Sequence, residues 1–152
     1  MSIRPKFAYE IFSGKKRYEL RRWIGVPVEP GSTVVVYVSG DVRAIMGEFT
    51  AGEVLLDSPT NQWRRVTSVP GSGIGRDDWP YIRGAKRAVA IEVVNPRVYR
   101  NPVRLETLRS IFPGFNPPLS YRLLAEGDPL LELLIKALRE KASFTANRSG
   151  SA

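Results

Sequence analysis

Between Pro5 and Arg21 the apolar residues change their repeat from about 3.6 to 2 across one glycine, and only a turn from helix into strand satisfies both. Phe7, Ala8, Ile11 and Phe12 recur at helical spacing, which predicts a short amphipathic helix from Pro5 to Ser13. Pro5 suits a first helical turn, and Gly14 suits the left-handed residue just past a helix end. Arg17-Tyr18-Glu19-Leu20-Arg21 then alternates like a strand. Lys16 therefore sits at the mouth of the corner. Glu19 and Arg21, two apart, project from one face of the strand, where the carboxylate can orient Lys16 and Arg21 together. Tyr18 and Leu20 face the other way.

The corner reads G-x-K-x-x-E-x-R, with Gly14, Lys16, Glu19 and Arg21 at its four fixed positions. Placed between an N-terminal helix and a strand, this pattern resembles the ASCH domain of the PUA-like superfamily. Ile3-Arg4-Pro5-Lys6 is similar to the family's opening strand, Thr33 to Val38 to its central strand, and Ala44 to Leu56 to its next long strand. The resemblance implies an α+β fold: a small curled β-barrel of about five to six strands, flanked by short helices, with a C-terminal helix. It also implies a cleft between barrel and helices beside the motif.

The rest of the chain is read from its own residues. Thr33-Val34-Val35-Val36-Tyr37-Val38 is a β-branched run predicted to be a strand buried on both faces. Gly47 and Gly52 mark bends or bulges in the long strand that follows. Thr60 to Val66 is a predicted helix, and Gly71 to Gly75 a flexible link, since it lacks the preceding strand and following Lys of a phosphate loop. Arg76 to Arg83 is a further short helix, and the resemblance implies that it closes over the cleft. Ala88 to Val94 is a buried strand ended by Asn95-Pro96, with Val98 to Val103 as an edge strand beyond it. Leu105, Leu108, Ile111 and Phe112 are helically spaced, and Ser120 to Leu124 is predicted to be a short strand. Asp128 N-caps a last helix with an apolar stripe of Leu131, Leu134, Ile135 and Leu138. Residues 1–142 are expected to form one domain and 143–152 a disordered tail.

Composition enters through what is missing. The 152 residues include no Cys and no His, which removes disulfides, thiolate nucleophiles, imidazole bases and the usual zinc ligands. No cofactor and no metal site are expected. Catalysis, if present, must use Lys, Arg, Glu, Asp, Ser, Thr or Tyr. No apolar run approaches the ~20 residues that span a bilayer, and the start lacks signal-peptide character, so no membrane partner and a cytoplasmic location are expected. The lack of Cys, the single Gln62 and the abundance of Pro and Arg would suit a thermophile.

A net charge of +8 and a pI near 10.1 make polyanions the natural partners. The candidate nucleic-acid-binding residues are Lys6, Lys16, Glu19, Arg21, Arg22, Trp79, Tyr81, Arg83 and Arg122. Cations would meet phosphates while aromatics stack on bases. Trp79 and Tyr81, with Trp23, are the stacking candidates, although Trp23 and Tyr81 equally suit a core. Glu19 with Lys16 or Arg21 equally suits a structural ion pair at the corner. The expected function is binding of RNA or single-stranded nucleic acid in the cleft. One alternative is an RNA-processing enzyme using Lys16 and Glu19, ribonuclease-like or similar to amidohydrolases of acetylated cytidine; this chain has Glu19 where that amidohydrolase group has Thr. Another is a modified-nucleotide reader, or an adaptor acting through its C-terminal helix.

Overall fold

The structure, a computed structural model, describes residues 1–136 and 138. The expected tail at 143–152 lies outside them. Strand β1 (Ser2–Ile3) leads into helix α1 (Pro5–Phe12), and β2 (Tyr18–Arg22), β3 (Thr33–Val38) and β4 (Ala44–Asp57) follow. Helix α2 (Pro59–Ser68) and a 3-10 turn (Arg76–Asp78) running into α3 (Trp79–Ile82) precede the long strand β5 (Ala88–Arg104) and α4 (Leu105–Ile111). A last helix, α5, covers residues 129–136. Asp128 caps it as expected, its carboxylate accepting from the Leu130 amide at 2.9 Å.

The helix-to-strand corner forms as its sequence requires. Pro5 opens α1, and Phe7, Ala8 and Ile11 are its buried face. Gly14 takes φ +80 and donates its amide to the Ile11 carbonyl at 3.1 Å. The Lys16 amide then reaches back to the Glu10 carbonyl at 2.9 Å. Lys16 is thus placed by the same hydrogen bonds that finish the helix.

The five strands form one mixed sheet in the order β1-β3-β4-β5-β2, parallel only between β1 and β3. On one face Val34, Val36, Val38, Phe49, Ala51, Val89 and Ile91 pack with Phe7, Ala8 and Ile11 of α1. Trp23 joins the edge of this core, the second of its two expected readings. The other face carries two smaller clusters. One, with Tyr37, Ile45 and Val103, lies under α4 and α5; the other, with Leu20, Ala88 and Ala90, lies under Val66 of α2 and Ile82 of α3.

The sheet curls but does not close, so the expected barrel is an open one. Its edge strands β1 and β2 share no ladder; the Arg21 guanidinium donates to the Ser2 carbonyl at 2.5 Å across the gap between them. The curl comes from register shifts. β4 carries one extra residue against β3 between Gly47 and Ile45, and further shifts against β5 around Phe49 and Gly52.

Three expectations need correction. Asn95-Pro96 does not end a strand, because β5 runs unbroken from Ala88 to Arg104. Phe49 alone stands opposite Asn95 and Pro96, a bulge in which Asn95 adopts φ +48 and Pro96 needs no ladder partner. Ser120 to Leu124 is not a strand: one ladder-like bond, from the Ser2 amide to the Ser120 carbonyl at 2.9 Å, holds it. Pro117 and Pro118 just before it have no N–H to offer. In α5 the buried stripe is Leu130 and Leu134 with Leu138 beside them, while Ile135 is exposed.

Candidate functional site

The gap between β1 and β2 opens into a cavity of about 430 Å³, lined by Ser2 to Arg4, Phe7, Lys16, Glu19, Leu20, Arg21, Tyr37, Ser39, Asp78, Tyr81 and Pro117 to Leu119. Glu19 and Arg21 reach it because they stand opposite Ile91 and Val89 in the β2–β5 ladder, and therefore share the face that the curl encloses. Lys16 reaches it from the corner. Asp78 and Tyr81 descend from the 76–82 segment, which does close over the cleft.

Four side chains form a row of alternating charge, three of them at least 96% buried. Asp78 Oδ1 accepts from Lys16 Nζ at 2.5 Å, and Lys16 Nζ lies 3.6 Å from Glu19 Oε2. Glu19 Oε1 lies 3.0 Å from Arg21 Nε, close enough for charge attraction but misaligned for a hydrogen bond. Lys16, Glu19 and Asp78 are 3%, 4% and 3% exposed, values that ordinary surface ion pairs do not approach. Charges withdrawn this far from water survive only in pairs. Lys16 Nζ also stands 4.3 Å from the centre of the Phe7 ring, and Phe7 meets Tyr81 edge to face at 5.2 Å.

The loop expected to be a flexible link is what anchors this row. Ser72 is buried, and its carbonyl accepts from the Arg17 amide at 2.8 Å. Gly73 adopts φ +74 with its Cα against the Lys15 carbonyl, where any Cβ would collide. The Gly75 amide donates to Asp78 Oδ2 at 2.9 Å, which leaves Oδ1 for Lys16. Gly73 serves close approach of backbone to backbone, not mobility.

Of the nine residues expected at the site, Lys16, Glu19, Arg21 and Tyr81 come together in the cavity wall. The other five lie elsewhere. Lys6 is exposed and paired with Asp77 on the outer side of the 76–82 segment. Arg22 and Arg83 are exposed outside the cavity, the Arg22 guanidinium donating to the Arg83 carbonyl at 3.0 Å. Trp79 packs against Trp63 with ring centres 5.3 Å apart and lies half-buried against the Leu20–Ile82 cluster, outside the cavity wall. Arg122 pairs with Asp128 at 2.9 Å and borders a separate apolar hollow beside α5.

Two members were missed. Asp78 had a readable signal, an acidic pair beside Trp-Pro in a segment expected to close the cleft. Arg4 had none, since its place at the cavity mouth, 5.7 Å from the centre of the Tyr81 ring, depends on how β1 meets α3. Among the described residues no group of three or more His, Cys, Asp or Glu side chains could hold a metal, and no helix is long and apolar enough to cross a membrane.

No family model matches the chain. An ASCH domain-containing ribonuclease from Zymomonas mobilis is 29% identical over 128 residues, 79% of this chain and 79% of that protein. The crystal structure of ASCH from the same organism superposes with a TM-score of 0.74 at 25% identity, covering 90% of this chain and 92% of that one. A variant of the same protein gives a TM-score of 0.75 at 24% identity, covering 90% and 93%. The protein has the α+β fold of ASCH-domain structures, and its relatives in sequence and in structure are ASCH-domain proteins.

Proposed function

We propose that the protein binds RNA or another single-stranded nucleic acid at the cavity between β1 and β2. The observation that carries this is the row Asp78–Lys16–Glu19–Arg21, buried in the wall of a cavity of about 430 Å³. A chain buries three charges and most of a fourth around a hollow at considerable cost, and hollows of this size with a few convergent polar groups are where ligands bind. The net charge of +8 supplies long-range attraction for a polyanion. The relative named a ribonuclease supports RNA as the class of polymer.

The test is binding of labelled single-stranded RNA by anisotropy across a salt series. Log affinity should fall linearly with log salt, as counterions are released from phosphates. A flat dependence, or no binding at micromolar protein, overturns the reading.

The ribonuclease named among the relatives favours a second reading, in which the same site cleaves RNA. Without His, Lys16 would stabilise developing negative charge and Glu19 would accept the proton. RNA incubated with wild type and with Glu19→Gln, which keeps the side chain's shape, separates the two. Cleavage that disappears in the variant supports an enzyme; binding with intact RNA supports a binding module.

A further inference from the structure

At one end of the sheet four cations stand together outside the cavity. Arg22 follows Arg21 on β2 and so projects from the opposite face, the one that carries Leu20. Its guanidinium donates to the Arg83 carbonyl at 3.0 Å, and the Trp23 amide donates to the Arg87 carbonyl at 3.1 Å. Residues 82–85 make a type II turn: Arg83 has φ −56 and ψ 130, Gly84 has φ +76, and the Ala85 amide closes on the Ile82 carbonyl at 3.1 Å. These bonds stitch the 82–87 segment to the end of β2 and leave Arg22, Arg83, Lys86 and Arg87 exposed side by side.

No carboxylate among the described residues forms an ion pair with any of the four. Asp57, opposite Ala88 at this end of the ladder, is taken by Arg65 at 3.2 Å and attracts Arg87 only from farther off. From Trp79 to Ile91 the sequence contains no acid. The far end of the β4–β5 ladder differs. Arg43, Arg100 and Arg104 are exposed there, but Asp41 and Glu106 stand near them in the chain and Glu48 takes Arg97. Like charges held together repel unless an anion offsets them. The phosphates of a nucleic acid are such anions, and they are met by Arg and Lys without regard to sequence.

The cluster is also continuous with the cavity. Arg21 and Tyr81 line the hollow, and Arg22 and Arg83 follow them on the same two segments. We infer that the end of β2 and the 82–87 turn form a separate phosphate-binding ridge, along which the backbone of a single-stranded nucleic acid lies as it leaves the cavity. This rests on reading the cleft as a nucleic-acid site, and it adds a second surface to that site.

Two triple variants test the ridge, each removing three positive charges. One carries Arg83→Gln, Lys86→Gln and Arg87→Gln; the other carries Arg43→Gln, Arg100→Gln and Arg104→Gln at the far end. Arg22 is kept in both because it holds the turn. Binding of labelled oligouridylate and oligoadenylate is measured across a salt series. The ridge variant should bind both about a hundredfold more weakly at about 0.1 M salt, with the salt slope lower by about 2, as three lost phosphate contacts on a single strand require. Its melting temperature should not fall, because repulsion is relieved. The far-end variant, equal in net charge, should stay close to wild type. Equal losses in the two variants overturn the inference, since net charge then explains them. A loss confined to one of the two sequences overturns it too, as base readout. A ridge variant that binds like wild type while Glu19→Gln changes affinity sinks the ridge and keeps the cavity reading. The reverse pattern keeps the ridge and sinks the cavity as the binding site.

Discussion

The sheet has two kinds of seam. Between β4 and β5 the backbones are registered from Ala44 opposite Arg104 to Asp57 opposite Ala88, with bulges that bend the pair without parting it. Between β1 and β2 there is no ladder, only the Arg21 guanidinium on the Ser2 carbonyl at 2.5 Å and the buried charges behind it. A ladder holds strands at about 4.8 Å and leaves no space between them. A seam made of side chains holds the edges apart at a distance set by side-chain length, and here that distance is a cavity. The chain closes its curl with side chains where it needs room and with backbone where it does not.

That contrast predicts unequal responses to mutation. The largest belongs to Lys16→Met, which strips the shared cation from Asp78 and Glu19 and leaves two buried carboxylates without it. Loss of about 3–5 kcal/mol is expected in urea unfolding, and a change below about 1 kcal/mol would show that the row is not what holds the open seam. Next comes Gly73→Ala. A Cβ at φ +74 against the Lys15 carbonyl forces the 71–75 loop off the corner. It should cost about 1–3 kcal/mol and weaken RNA binding as well, because Lys16 moves with its support. If stability falls while affinity holds, the loop is scaffold for the fold alone.

Tyr99→Phe probes the ladder side. It removes the hydroxyl that donates to Glu48 at 2.9 Å, and a cost near 1 kcal/mol with unaltered RNA affinity is expected. An affinity loss there would extend the site beyond the open seam. The smallest effect lies in pH. The hydrogen bond between Lys6 and Asp77 holds the Asp77 carboxyl below its ordinary 3.8 and the Lys6 ammonium above its ordinary 10.5. The contribution of Asp77 is present above pH 3.8 and is lost as pH falls through its lowered folded value. That of Lys6 is present below pH 10.5 and is lost as pH rises through its raised folded value. Lys6→Ala should therefore flatten the melting-temperature profile slightly at both extremes and leave the middle unchanged. Both groups are exposed, so a large shift near neutrality would contradict the assignment.

Local pattern was enough for most of the elements. The helix at Pro5–Phe12, the strand at Thr33–Val38 and the long strand from Ala44 stand where spacing and punctuation place them, since each depends on residues a few positions apart. The misreadings arise where a distant partner overrides a local signal. Asn95-Pro96 reads as a strand end until Phe49 is known to face it across a bulge. Trp79 reads as a stacking platform until Trp63 covers it. Gly71 to Gly75 reads as slack until the Lys15 carbonyl is found against Gly73.

The sequence by itself determined the corner at Gly14 and the presence there of one acid and two cations, because the helix stop, the strand period and the two-residue spacing of Glu19 and Arg21 are all local. Only the tertiary structure decided that Asp78 completes the row from 62 residues away and that Arg4 stands at the mouth beside the Tyr81 ring. It also decided that the sheet edges stop short of each other. The reason is physical: hydrogen-bond geometry within a turn is set by neighbours in the chain, whereas pairing of buried charge and the width of a gap between strands are set by whatever folding brings alongside.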